Sequence, residues 1–165
     1  MLGHSVGDRR SPRRRLAGRV ITVTSVNGVV APPFSDAYNA AEFAVEELME
    51  SLATAMPEFA LYVSVLEPGP VRTAFFANVF GHIDNISDDD PYGELLKRFN
   101  RIMACLGSGD QPAESVADVI RDIAADPSPA LRYQSSEQSQ AIAAQKLVDK
   151  TGPSILAATG TMLHS

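Results

Sequence analysis

An α/β fold built on a parallel sheet is the fold class this sequence predicts, and three observations predict it. A β-branched run from Arg19 to Ser25 is followed by helix formers from Asp36 to Met56, and then by a second apolar run, Leu61 to Leu66. Both apolar runs close in turn residues, Asn27-Gly28 after the first and Pro68-Gly69-Pro70 after the second. A strand, a long helix and another strand form a βαβ unit with a right-handed crossover, which makes the two strands parallel.

Each element has its own local reason. Val20-Ile21-Thr22-Val23-Thr24 is β-branched throughout, which suits a pleated, buried strand. Ser35-Asp36 offers a helix N-cap. Ala41, Ala44, Val45, Leu48, Leu52 and Ala55 recur at helical spacing as the stripe of an amphipathic helix, and Pro57 stops it. A short apolar segment, Thr73 to Phe80, precedes a polar stretch, Asp84 to Asp90. Two further helices are expected, Pro91 to Leu106 and Pro112 to Ala125, each with proline near its first position and an acid, Glu94 or Glu114, in its first turn. Ala130 to Gln134 reads as a short third strand and Glu137 to Lys150 as a last helix.

Composition bounds the function. The chain has 165 residues, with 14 Lys+Arg against 20 Asp+Glu, and 45% of its residues are hydrophobic. A domain of this size buries roughly 68–70% of its unfolded surface, enough for a core without metal or disulfide staples. The single cysteine, Cys105, excludes a disulfide framework and weakens a secreted origin, so the chain reads as cytoplasmic. No apolar run approaches the roughly 18 residues that a spanning helix needs. Residues 1–18 form a basic head, read as a disordered tail ahead of a domain over 19–165. The body behind it is acidic, which disfavours nucleic acid.

Several motifs fail on inspection. His4, His82 and His164 share no ligand spacing, and no HExxH or CxxC is present. Asp88-Asp89-Asp90 starts like a calcium loop, but Tyr92 and Phe99 fall where ligands belong. Gly107-Ser108-Gly109 has no strand before it and has Pro112 where a dinucleotide loop needs its third glycine.

What survives is a hydroxyl, Ser25, at the end of the first strand and a phenol, Tyr38, on the first turn of the following helix. In a parallel sheet, strand carboxyl ends and helix N-termini meet at the edge where ligands bind. A phenol with a reference pKa of about 10 exchanges protons at neutral pH only if its proton is loosened, usually by a cation. The position one helical turn on, where that cation belongs, holds Glu42.

Thr24-Ser25-Val26-Asn27-Gly28, Tyr38-Asn39-Ala40-Ala41-Glu42-Phe43-Ala44 and Glu67-Pro68-Gly69-Pro70-Val71-Arg72-Thr73 together resemble the carboxyl-terminal portion of the short-chain dehydrogenase/reductases, over residues 19 to about 152. Pro129 to Tyr133 is similar to the tail of the estradiol 17-beta-dehydrogenase and retinol dehydrogenase group. The resemblance implies a truncated, Rossmann-like, doubly wound parallel sheet made of the last three strands with flanking helices. It also implies NAD or NADP as cofactor and an apolar alcohol or ketone as substrate. On it, Ser25 orients the substrate carbonyl and Tyr38 exchanges its proton. Pro68, Gly69 and Thr73 hold the nicotinamide end, while Phe75, Phe76 and Phe80, with Val79, form a substrate lid; ordinary core packing is the competing reading of these aromatics.

Two departures qualify that expectation. The family has lysine where this chain has Glu42, so Tyr38 should be a poor base. The glycine-rich phosphate loop, the ribose selector and the active-site asparagine belong upstream of Arg19 and are not among these residues, so a truncated or misread start is expected. Little or no activity follows, with a homo-oligomer or aggregate as the expected state. Rival readings are a non-catalytic remnant acting through protein association and nucleic-acid tethering through the arginine head.

Overall fold

The two β-branched runs pair in parallel as β1 (Gly18–Val23) and β2 (Leu61–Glu67), in a computed structural model that describes residues 18–80, 86–87, 89–107, 111–148 and 160–161. The register sets Val20 opposite Val63 and Val23 opposite Leu66. A third strand, β5 (Arg132–Gln134), joins the far side of β2, also parallel, giving the order β1-β2-β5. The helix α1 (Asp36–Ala55) makes the crossover from β1 to β2. The expected three-stranded parallel sheet with flanking helices is therefore present.

Beyond β2 the chain adds a pair of short strands that the sequence reading did not resolve. β3 (Val71–Arg72) and β4 (Gln111–Pro112) form a separate two-residue parallel pair. The segment between them holds α2 (Phe75–Phe80) and α3 (Gly93–Gly107), and α4 (Ala113–Ala125) and α5 (Glu137–Val148) follow β4 and β5 respectively. α3 starts at Gly93 rather than Pro91, because Asp90 caps a turn there: its Oδ1 accepts from Tyr92 N–H at 2.8 Å. Pro112 serves as the N-cap of α4 rather than its first residue. Ser35 stands at the N-cap of α1, but its side chain makes no capping hydrogen bond.

Residues 1–17, residues 84, 85 and 88 of the Asp84 to Asp90 stretch, residues 108–110 and residues 149–150 of the expected last helix lie outside the described residues, as do the side chains of Phe80, Leu106 and Leu147. Among the described residues no helix is long and apolar enough to cross a membrane, and no group of His, Cys, Asp or Glu is placed to hold a metal ion.

The core sits between α1 and the sheet. β2 is buried continuously from Val63 to Glu67, and Val63 and Val65 pack on Met49, with Val45, Leu52, Ala53, Met56 and Leu131 around them. Each fully buried aliphatic side chain contributes roughly 1.5–3 kcal/mol. β1 differs from the expected buried strand: Val20 and Val23 are exposed, and among the described residues β1 pairs on one side only, with β2.

Helix α1 holds the larger correction. Val45 and Leu52 reach the core, but Ala41, Ala44, Leu48 and Ala55 face outward, Leu48 at 57% exposure. The buried positions are Asn39, Glu46 and Met49. The inward face is thus less apolar than the stripe suggests, since its polar side chains have partners waiting for them.

Candidate active site

The carboxyl end of β1 remains attached to β2 after regular strand geometry stops at Val23. Thr24 N–H donates to the Leu66 carbonyl and Val26 N–H to the Pro68 carbonyl, both at 2.9 Å. Ser25, extended between them, caps the short helical turn Val26–Gly28, and its Oγ accepts from Asn27 N–H at 3.1 Å. That bond uses a lone pair of the hydroxyl and leaves its hydrogen available to a second acceptor. Tyr38 lies in the first turn of α1 at the same edge of the sheet.

Ser25 and Tyr38 line one cavity of about 950 Å³. Pro68, Gly69, Thr73, Phe75, Phe76 and Val79 line it too, so the structure gathers eight of the ten residues singled out from sequence around a single space. Gly69 is required where it is. A Cβ there would stand 2.9 Å from the Oγ of Ser139, at the start of α5, so only glycine lets the loop after β2 approach this helix.

The aromatic segment is not core. Phe75 and Val79 are exposed, and Phe75 leans on Tyr38 with ring centroids 5.9 Å apart and on Phe76 at 5.6 Å. Thr73 Oγ1 accepts from Phe75 N–H at 3.3 Å, which caps the start of α2. The Phe80 side chain lies outside the described residues. Across the cavity Phe34 adopts a left-handed conformation, φ 58°, uncommon for a bulky side chain. Its ring is held edge-on by Phe99 and Tyr92, at 5.6 and 6.4 Å, so α3 fixes this wall.

Glu42 is not among the cavity-lining residues; it acts on the site through Tyr38. Burial raises the Tyr38 pKa above its ordinary value, the Ser25 hydroxyl works against that rise, and the Glu42 carboxylate adds to it. Glu42 is itself pushed up, chiefly by burial, with the Tyr38 hydroxyl opposing and nearby Glu46 adding. The phenol therefore holds its proton more tightly than a free tyrosine does. Burial is the larger cause of this and the anion beside it the smaller.

Sequence reasoning missed the layer behind this pair. Asn27 Nδ2 donates to Asn39 Oδ1 at 3.0 Å, and Asn39 Nδ2 donates to the Pro32 carbonyl at 2.9 Å, pinning the loop after Ser25 to the turn that bears Tyr38. Glu46 is buried against Thr24 and Arg132. Helix α5 contributes Gln138, Ile142 and Gln145 to the cavity, and α3 contributes Ile102 and Met103. One signal was available for the first group: Asn39, Glu42 and Glu46 recur at helical spacing on the helix that starts at Asp36, a polar stripe beside the apolar one.

The model of the family described as short chain dehydrogenase matches residues 11–83. Human 17-beta-hydroxysteroid dehydrogenase type 1 is 34% identical over 150 residues, which cover 88% of this chain and 45% of that protein. The chain belongs to the short-chain dehydrogenase/reductase family. Human retinol dehydrogenase 8 is 28% identical over 158 residues, 92% of this chain and 50% of that protein. A short-chain dehydrogenase from Streptomyces avermitilis superposes with a TM-score of 0.65 at 25% identity, over 90% of this chain and 52% of the other. This short-chain dehydrogenase/reductase chain spans about half the length of the curated relatives it matches.

Proposed function

We propose that the chain provides the substrate-facing part of an NAD- or NADP-dependent oxidoreductase that interconverts a hydroxyl and a carbonyl on an apolar small molecule. The observation that carries this reading is the shared cavity, in which a serine hydroxyl and a tyrosine phenol meet beneath a wall of aromatic side chains. The names of two relatives, a hydroxysteroid and a retinol dehydrogenase, point to the same substrate class, a bulky apolar alcohol or ketone.

The residues present fit one end of the cofactor. Pro68, Gly69 and Thr73 line the same cavity as Ser25 and Tyr38 and would hold the nicotinamide end. At the ribose end Glu42 presents an anion where the family has a cation, and these 165 residues contain no glycine-rich strand-turn-helix for pyrophosphate. Binding by this stretch alone is expected to be weak. The cofactor, when bound, supplies or accepts hydride at the substrate carbon.

The chain's own residues handle the oxygen. The Ser25 hydroxyl hydrogen-bonds and orients it, and Tyr38 delivers or receives its proton. A phenol that holds its proton tightly is present as the acid throughout the neutral range, so Tyr38 is better suited to protonating a nascent alkoxide than to deprotonating an alcohol. Carbonyl reduction is the favoured direction. A cytoplasmic setting belongs to the same reading and rests on the single cysteine of the sequence.

The test is an assay of the chain, fused behind a glycine-rich cofactor-binding half from a relative, with NADH or NADPH and a series of apolar ketones, a steroid ketone among them. Slow turnover that disappears in Tyr38→Phe and falls in Ser25→Ala supports the reading. Turnover that survives Tyr38→Phe contradicts it.

A further inference from the structure

Glu46 has a position that the reaction just described does not use. Its side chain is only 4% exposed, one turn beyond Glu42 and two beyond Tyr38 on α1. Both carboxylate oxygens are engaged, and by different elements. Oε1 accepts from Thr24 Oγ1 at 2.7 Å, and Oε2 accepts from Arg132 Nε of β5 at 3.1 Å.

Thr24 is the residue immediately before Ser25. Glu46 therefore ties the strand end that presents the serine to the helix that presents the phenol, and β5 anchors the tie from the opposite side of β2. The surrounding chemistry is built for this contact. Gly28, in the turn after Ser25, would place a Cβ 2.8 Å from Glu46 Cγ, so the turn closes on the carboxylate only because the residue is glycine. Arg132 is shared: its Nη2 donates to Glu50 Oε2 at 2.6 Å, and its Nε lies 3.6 Å from Oε1 of the fully buried Glu67. Glu67 Oε2 in turn accepts from Gln134 Nε2 at 2.8 Å.

A single guanidinium thus faces three carboxylates, an arrangement that costs desolvation. Hydrophobic residues of similar volume often replace buried ion pairs with no loss of stability. Core packing alone supplies no reason for such a cluster at this place. Its geometry supplies one, because Glu46 is the member that reaches the residue beside Ser25.

We propose that Glu46, held by Arg132, is a positioning residue that sets the distance between Ser25 and Tyr38 through its hydrogen bond to Thr24. The proposal rests on the reading of Ser25 and Tyr38 as the reacting pair, but its test requires no turnover. The Ser25 hydroxyl lowers the pKa of the Tyr38 phenol, so loosening Thr24 should weaken that effect and make the phenol harder to ionise.

The experiment incorporates 3-fluorotyrosine into the full chain and follows the fluorine signal of Tyr38 against pH, with the signal assigned by its loss in Tyr38→Phe. Thr24→Val removes the hydroxyl while keeping the shape, and Thr24→Ser restores the hydroxyl. The expected result is an upward shift of the Tyr38 midpoint by about half a pH unit in Thr24→Val, reversed in Thr24→Ser. Glu46→Gln, a second variant that breaks the pairing with Arg132, is expected to narrow the response to Ser25→Ala, because the serine is already displaced.

A Tyr38 midpoint unchanged in Thr24→Val would overturn the proposal. So would a thermal midpoint that falls in Thr24→Val and stays low in Thr24→Ser, with the Tyr38 signal unmoved in both. If the ketone assay of the fused chain fails while the Tyr38 shift occurs, the functional reading falls and the positioning role stands.

Discussion

The two faces of α1 contrast sharply. One is buried and mixes Asn39 and Glu46 with Val45, Met49 and Leu52; the other faces outward and mixes Ala41, Ala44, Leu48 and Ala55 with Glu47 and Ser51. Hydropathy alone would bury Leu48 before Asn39 or Glu46. What decides burial is the presence of partners: Asn39 has Asn27 and the Pro32 carbonyl, and Glu46 has Thr24 and Arg132, whereas Leu48 meets nothing comparable among the described residues. A polar side chain with its hydrogen bonds made can lie against a sheet, and an apolar one without neighbours cannot.

Truncating the inward face should have the largest effect. Glu46→Ala leaves Arg132 and Thr24 facing a gap and is expected to cost about 3 kcal/mol, measured by chemical denaturation. If Glu46→Ala costs no more than Leu48→Ala, the contrast between the faces is wrong.

Next in size is the anion at the proposed reacting pair. Glu42→Lys, in a chain fused behind a glycine-rich cofactor-binding half from a relative, replaces the charge that tightens the Tyr38 proton. Turnover in alcohol oxidation should rise roughly tenfold or more, since each tenfold corresponds to about 1.4 kcal/mol. Equal or lower turnover would assign Glu42 a different role.

Glu67 sharpens the comparison from the strand side. Burial is the main cause that raises its pKa in the folded chain, with Gln134 and Arg132 opposing and Glu46 adding. A carboxyl whose folded pKa exceeds its unfolded one stabilises the fold below the unfolded value, and that contribution is lost as pH climbs through the folded one. Glu67→Gln should therefore match the parent in thermal midpoint near about pH 4 and exceed it at about pH 8. A variant that is less stable at the higher pH would show that Arg132 keeps Glu67 ionised.

The smallest effect on stability belongs to the outward face. Leu48→Glu should change folding free energy by less than about 0.5 kcal/mol. It should, however, reduce self-association, because Leu48, with Val20 and Val23 of β1, leaves apolar surface uncovered and β1 is an edge strand among the described residues. Light scattering is expected to show the parent chain above monomer mass and the variant closer to it. A monodisperse parent monomer would remove the basis for this expectation.

The sequence made the fold class and the proposed reacting pair legible for a physical reason. β-branched runs, turn glycines and a proline-bounded helix are local signals, and Ser25 and Tyr38 are placed by the ends of those elements. The supporting layer was not legible. Arg132 lies 86 residues from Glu46, and no local pattern connects them. Nor does any pattern show that α5 and α3 close the cavity, or that the apolar stripe of α1 is divided between core and solvent. Such contacts are set by the way the chain returns across β2, which periodicity within one helix does not encode.

The most direct measurement is the ionisation of Tyr38 in the parent chain and in Glu42→Gln, followed by the fluorine signal of 3-fluorotyrosine against the free amino acid. The account predicts a parent midpoint above that of free 3-fluorotyrosine and a fall when Glu42 is neutralised, because burial and the neighbouring carboxylate both hold the proton on. A parent midpoint at or below the free value, or one that Glu42→Gln leaves unchanged, would contradict it.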